Sequence, residues 1–205
     1  DLPSAYNGLK AAASEIGGVQ IQASGTIGGN LCTASPAGDS IPCLMTLNAA
    51  IELTSRRGAR RLPLNEFLTG PRQTACAPDE LVTAVYVPSD AEMGVGGFEK
   101  LGARRYLVIS IAMTAARLSI ADGRIGDAAI SVGACAPVAV RLTELEAGLR
   151  GMAYDMAGDF IRDSRSGIMA ALSPIDDVRG TAGYRRDAAA EIVARLVERL
   201  CGEFG

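Results

Sequence analysis

The sequence predicts an α+β protein in two halves, each with short antiparallel strands and helices gathered to one side. Three observations carry that reading. Short apolar alternations at 51–54 and 81–87 read as strands. Two alternating segments meet at Asp122-Gly123, and a long helical stripe runs over 184–201. The chain has 205 residues, 48% hydrophobic and 21% charged, which is ample for one or two packed cores and excludes disorder.

Ser4 to Ile16 reads as a helix with Ala5, Leu9, Ala12, Ala13 and Ile16 on one face, ended by Gly17-Gly18. Val19 to Gln22 alternates briefly and feeds a glycine-rich loop, Gly25 to Asn30. A helical apolar run over Ile41 to Ala50 leads to a strand at Ile51 to Thr54, a turn at Arg57-Gly58 and a strand from Leu81 stopped by Pro88. Ser89 to Gly97 is polar and rich in glycine, the best linker candidate. Beyond it, Ala116 to Ala121 and Arg124 to Gly133 form a predicted hairpin, because both residues of an Asp-Gly turn accept positive φ. Leu118, Ile120, Ile130 and Val132 share its expected buried face. Thr143 to Glu146 reads as a capping box. The last helix, about 184–201, buries Ile192, Val193, Leu196, Val197 and Leu200, with Glu191 and Arg195 paired outside.

Composition removes several function classes. Twenty Lys and Arg against 23 Asp and Glu give a net charge of −3, which does not suit a basic nucleic-acid surface. There is no His, so Ser-His and Cys-His catalysis and imidazole metal ligation are excluded. There is no Trp and aromatics total 4%, too few for a base-stacking platform. The five cysteines include no C-x-x-C pair, so neither zinc nor an iron–sulfur cluster is expected in this chain. Reduced, buried thiols in a cytoplasmic protein are the expectation. The apolar stretch near 107–116 falls far short of the ~20 residues that span a bilayer. Asp176-Asp177 lacks a third carboxylate nearby and reads as a turn and helix start rather than a metal site.

The loop Gly25-Thr26-Ile27-Gly28-Gly29-Asn30 is the sharpest motif. Adjacent glycines let amides converge into a concave nest that accepts phosphate, with Thr26 and Asn30 adding side-chain bonds. No Lys follows and the spacing is not G-x-G-x-x-G, so glycine content alone leaves a plain turn open. Thr33, Ser35 and Asp39 come next. A carboxylate is repelled by phosphate but accepts two hydrogen bonds from a sugar diol, while helix capping by Asp39 or Ser40 is the structural alternative. Lys100 by itself reads as a surface lysine. The clusters Arg104-Arg105 and Arg56-Arg57 with Arg60-Arg61 read as a partner-facing or cofactor-facing pair and a solvated hairpin tip.

Gly25 to Asn30, with Thr33-Ala34-Ser35-Pro36 and Asp39, resembles the second FAD-binding motif of the flavoprotein (medium) subunit of molybdenum hydroxylases, the xanthine dehydrogenase and carbon monoxide dehydrogenase group. Asp79 to Pro88 is similar to that family's flavin-contacting strand, and Phe98 to Arg105 to the segment that opens its C-terminal domain. Ser173 to Gly180 with Tyr184-Arg185-Arg186 is similar to its closing signature. The resemblance runs along essentially the whole chain in family order.

It implies residues 1–93 as the C-terminal part of a PCMH-type FAD-binding domain, a mixed or antiparallel sheet with helices. Residues 94–205 become a CO dehydrogenase flavoprotein-like C-terminal domain, a small antiparallel sheet with about three helices. It implies FAD contacts at Thr26, Ile27, Gly28, Gly29 and Asn30, and along the pyrophosphate and sugar at Thr33, Ser35 and Asp39. Val82 supplies an apolar or backbone contact, and Lys100 points toward the flavin. No residue is assigned a catalytic or metal-binding role.

The implied function is an oxidoreductase subunit passing electrons from [2Fe–2S] clusters to FAD and on to an external acceptor, NAD⁺ and O₂ among the candidates. The implied partners are a large molybdopterin-bearing subunit and a small [2Fe–2S] subunit. The family's other glycine-rich loop, of Ala-Gly-Gly-Thr type, is not found, and the chain opens on Asp1. A fragment or split subunit lacking the N-terminal FAD subdomain is therefore expected. The alternative is a non-catalytic docking module without a flavin of its own in the isolated chain. A vanillyl-alcohol-oxidase type flavoprotein is weaker, because covalent flavin attachment there often uses His.

Overall fold

A turn of 3-10 helix at Ser4–Tyr6 leads into α1 (Asn7–Glu15), and Gly17, at a φ of 62°, turns the chain out of it. The structure is a computed structural model that describes residues 2–104 and 107–204. Val19–Ser24 forms α2, not the extended stretch its alternation predicts. Among the described residues no strand pairs with it, and its backbone pairs internally, Gln22 N donating to Gly18 O at 3.0 Å. The predicted glycine loop is also largely helical: α3 spans Ile27–Thr33 with Thr26 as its N-cap. Next comes α4 (Ser40–Thr46), buried at all seven positions.

Strands β1 (Ala50–Ser55) and β2 (Gly58–Pro63) form a hairpin that turns at Arg56-Arg57, one residue before the predicted Arg57-Gly58. A short helix α5 (Leu64–Phe67) and the small pair β3 (Leu68–Gly70) and β4 (Gln73–Thr74) intervene before β5 (Leu81–Tyr86), which pairs antiparallel with β1. The sheet order is β2-β1-β5. Ile51 and Leu53 point from its centre into a core with Leu31, Leu44 and Phe67, so the sheet backs α3 and α4. On its outer side the arginine tip is ion-paired: Arg57 with Asp79, Arg60 with Glu80 and Arg61 with Glu52.

After a 3-10 turn at Ser89–Glu92 the chain enters β6 (Val95–Leu101), so the expected linker ends as a strand. Its glycines serve packing. A Cβ on Gly96 would lie 2.1 Å from Ala5 O, and one on Gly8 would lie 2.7 Å from Gly97 O. The N-terminal helix can sit on β6 only because these side chains are missing. Strands β7 (Ala112–Ala121) and β8 (Arg124–Gly133) meet at Asp122 (φ 51°) and Gly123 (φ 72°), the predicted hairpin. With β9 (Val140–Arg141) they form a sheet ordered β6-β7-β8-β9.

This sheet is covered on both faces, where the sequence predicted helices on one side. Ala112, Ala116 and Leu118 face α9 (Ala182–Gly202), and Met113 and Ala115 face Ala12 of α1 and Cys43 of α4. Before α9 come α6 (Thr143–Leu149), α7 (Ala157–Asp163) and α8 (Arg165–Ala170). The capping box is not formed at α6. Its N-cap is Leu142, and Glu146 turns inward to accept the Ile130 N–H at 2.7 Å and a two-pronged Arg141 guanidinium. A buried partner with two guanidinium donors outcompetes a cap exposed to water. Asp176 accepts the Ala182 N–H at the start of α9, and Asp177 takes Arg179 and Arg185, in keeping with the turn and helix-start reading. Cys43, Cys135 and Cys201 are buried, but Cys32 is exposed and Cys76 half-buried; all five are unpaired. Among the described residues no helix is long and apolar enough to cross a membrane.

The Arg60 guanidinium, helped by the Ala77 N–H, holds the Glu80 carboxyl down at about 2, against an ordinary 4.5. A depressed carboxylate stabilises the fold fully above its unfolded value and loses that contribution as pH falls through the folded one. Glu80→Gln should therefore flatten the melting temperature against pH between 4.5 and 2 relative to the parent protein. An unchanged slope would show that the pair does not couple to folding.

Candidate functional site

Helix α3 begins where the chain leaves the extended conformation at Thr26, whose φ is −127°. Its Oγ1 accepts the Gly29 N–H at 2.9 Å, and its carbonyl accepts the Asn30 N–H at 3.0 Å. A helix start leaves its first amides without intrahelical acceptors. Here those of Ile27 and Gly28 have no acceptor among the described residues. The nest thus survives in altered form: two free amides and a capped first turn instead of a coil of converging glycines.

Beside this turn lies a cleft of about 720 Å³ between α1, α2 and α3. Leu9, Ile16, Ile21 and Ile27 give it apolar walls, while Thr26 and Ser40 add hydroxyls. Among the described residues no charged side chain lines it. An anion there would be held by amides and helix polarity, and a planar apolar group would find the isoleucine and leucine surfaces. Opposite the turn stands Val82 of β5, whose Cγ1 would lie 3.9 Å from a Cβ built on Gly28. A side chain at Gly28 would thus sit in ordinary van der Waals contact with Val82, which places this glycine of the turn against β5. These features fit the phosphate-bearing end of a dinucleotide.

The predicted residues divide. Thr26, Ile27, Gly29, Asn30 and Thr33 come together on the cleft wall, and Gly28 sits within the same turn. Thr33 Oγ1 donates to Gly29 O at 2.8 Å inside the helix. Asn30 Oδ1 accepts the Ser40 hydroxyl at 2.7 Å, which leaves its Nδ2 without an acceptor among the described residues. Ser35 is half-buried and accepts the Ala37 N–H at 3.3 Å, away from the cleft.

Asp39 and Lys100 correct the reading of an open diol acceptor and a surface lysine. They form a buried ion pair, Nζ to Oδ2 at 2.7 Å, with side chains 6% and 8% exposed for Lys100 and Asp39. Ser110 Oγ donates to Oδ1 at 2.6 Å, so both carboxylate oxygens are occupied. The physical reason is burial: a carboxylate under α4 must find donors inside the protein. Burial pushes the Cys43 thiol well above its ordinary value, and the Asp39 charge adds to the shift. Arg105 lies outside the described residues, while Arg104 donates to Leu107 O.

Sequence reasoning missed the apolar wall of the cleft and three residues from beyond 100 that support it: Ser110, Arg117 and Arg141. Arg117 had a signal, a cation in the middle of an otherwise apolar strand. It is 1% exposed and donates to Thr46 O and Met93 O while pairing with Asp127.

Comparison with known proteins places these features in a family. Residues 1–90 match the FAD binding domain in molybdopterin dehydrogenase, and residues 98–200 match the CO dehydrogenase flavoprotein C-terminal domain. The chain is 33% identical over 190 residues to a nicotine 6-hydroxylase medium subunit of Paenarthrobacter nicotinovorans, covering 92% of this chain and 65% of that protein. It is 33% identical over 139 residues to a xanthine dehydrogenase FAD-binding subunit of Escherichia coli O157:H7, covering 67% of this chain and 48% of that one. A carbon monoxide dehydrogenase from Hydrogenophaga pseudoflava lacking the Mo-pyranopterin moiety superposes with a TM-score of 0.88 at 26% identity, over 95% of this chain and 67% of that chain. The chain thus spans about two thirds or less of the curated relatives it matches.

The buried pair yields a test of the fold beneath the cleft. Asp39→Asn leaves the Lys100 ammonium without its counter-charge and should cost about 3–5 kcal/mol in urea denaturation. Asp39→Leu combined with Lys100→Met should recover most of that loss. A single variant within about 1 kcal/mol of the parent would mean that the pair is solvated.

Proposed function

The chain belongs to the family of FAD-binding medium subunits of xanthine dehydrogenase and CO dehydrogenase type molybdenum hydroxylases, and on that premise we propose that its cleft holds FAD in an electron-transfer oxidoreductase. The observation that carries the reading is the pair of free amides at Ile27 and Gly28 beside a cleft with hydroxyl and apolar walls. Those amides bind the pyrophosphate, and Thr26, Asn30 and Thr33 orient it. Bound FAD supplies the electron-accepting and electron-donating chemistry; the protein supplies binding, orientation and electrostatics. No acid–base residue is needed for that task, which agrees with a chain without His.

Val82 and Lys100 complete the proposed set, whereas Ser35 and Asp39 serve it from outside the cleft, Asp39 by holding Lys100. An ammonium has three donors, and Lys100 spends one on Asp39, so the pair can remain while Lys100 turns another toward a bound group. Ser35 and Val82 flank the two ends of α3. We propose the boundary between the halves at residues 93 and 94; the short stretch between the 3-10 turn and β6 supports it.

In this reading the remaining FAD contacts come from a further glycine-rich subdomain. Electrons arrive from a small [2Fe–2S] subunit that is fed by a large molybdopterin subunit, and they leave to an acceptor such as NAD⁺. Relatives called medium subunits support such an assembly. Five unpaired cysteines support a reducing, cytoplasmic setting.

Thr26→Ala with Asn30→Ala should lower the flavin content of the purified protein at least severalfold, read from visible absorbance per polypeptide. The cap loss alone costs only about 1 kcal/mol, so the fold should persist by circular dichroism. Parental flavin content in a folded double variant would remove these residues from the site.

A further inference from the structure

We infer that Arg141, held by Glu146, is a positioning residue for the cleft, acting through α4 rather than by touching the ligand. This rests on the reading of the cleft as the FAD site. Arg141 lies at the end of β9, within the stretch that matches the C-terminal family domain. Its Nη1 donates to Met45 O at 2.7 Å and to Asn48 Oδ1 at 2.9 Å, both at the carbonyl end of α4. Met45 O already accepts the Asn48 N–H at 3.1 Å, and the helix end carries its negative pole, which favours a cation there. Arg117 Nε meets the adjacent Thr46 O at 3.0 Å.

Arg141 is itself fixed. Its Nε and Nη2 fork onto Glu146 at 2.8 and 2.9 Å. Glu146 is 2% exposed and also accepts the Ile130 N–H, which ties the pair to β8. The partly exposed guanidinium meets a buried carboxylate through two parallel hydrogen bonds, a forked geometry that fixes its orientation. A second cavity, about 650 Å³ between α6 and α8, is lined in part by Arg141, but the hydrogen bonds already described occupy its guanidinium.

The chain of contact to the cleft is short. Every residue of α4 is buried, so the helix cannot slide without disturbing its neighbours on all sides. At its other end the Ser40 hydroxyl donates to Asn30 Oδ1 at 2.7 Å, and both residues line the cleft. Fixing Met45 O therefore fixes Ser40, and Ser40 orients the Asn30 amide toward the ligand.

The test compares Arg141→Met and Arg141→Lys with Leu149→Ala, a core lesion in α6 at a side chain that makes none of the Arg141 hydrogen bonds. Hydrogen–deuterium exchange and FAD titration are read on each purified protein. Arg141→Met should speed exchange in peptides covering residues 27–46 and weaken FAD binding about tenfold. Arg141→Lys keeps the charge without the fork and should fall between Met and parent. Leu149→Ala should lower the melting temperature while leaving exchange at 27–46 and FAD affinity at parental values.

Parental exchange at 27–46 in Arg141→Met overturns the inference, and so does faster exchange with FAD affinity within twofold of the parent. If Arg141→Met does not fold, Arg141→Lys is judged by the same two readings. Failure of the cleft reading looks different: FAD then binds the Thr26, Asn30 double variant as it binds the parent, whatever Arg141 does to exchange.

Discussion

A helix with seven successive buried residues, Ser40–Thr46, puts both of its polar ends into a water-poor interior. Unmet carbonyls and an unpaired carboxylate there would each cost several kcal/mol. The protein meets them from the other half of the chain. Lys100 and Ser110 take Asp39 at the amino end, and Arg117 and Arg141 take the carbonyl end. The helix that supports the candidate cleft is therefore held by residues 61 to 96 positions away in sequence. Glycines at 8 and 96 allow backbone to approach backbone where the N-terminal helix meets β6. The two family segments share one interior, in which cutting between them would strand buried charges.

How much of this could be read from the sequence depended on whether the deciding interaction was local. The Asp122-Gly123 hairpin, the β1–β2 turn and the long C-terminal helix were legible because turn chemistry and periodicity settle them within a few residues. The stretch at 19–24 was not: its alternation carries no information about a missing partner strand. Glu146 read as a cap for the same reason, since nothing nearby in sequence announces that Arg141 and the Ile130 amide compete for it. In the site, the glycine and threonine positions were legible by motif. The partners of Asp39 were not, because Lys100 and Ser110 come from distant strands and loops.

Under the proposed function, a chain without His can serve redox chemistry through its cleft. Its walls carry amides, hydroxyls and aliphatic carbons, and among the described residues no charged or titrating side chain. Such a surface can grip a phosphate and a ring system over a wide pH range without itself changing protonation. The charged groups stand one layer back, in Asp39–Lys100 and Arg141–Glu146, where they set geometry and local potential.

The central claim is that the Ile27 and Gly28 amides receive the cofactor's pyrophosphate. Amide resonances in isotope-labelled protein test it directly, with FAD titrated against riboflavin, which has the ring system but no phosphate. The account predicts large shifts at Ile27 and Gly28 with FAD and small ones with riboflavin. FAD that binds while leaving both resonances in place would contradict it.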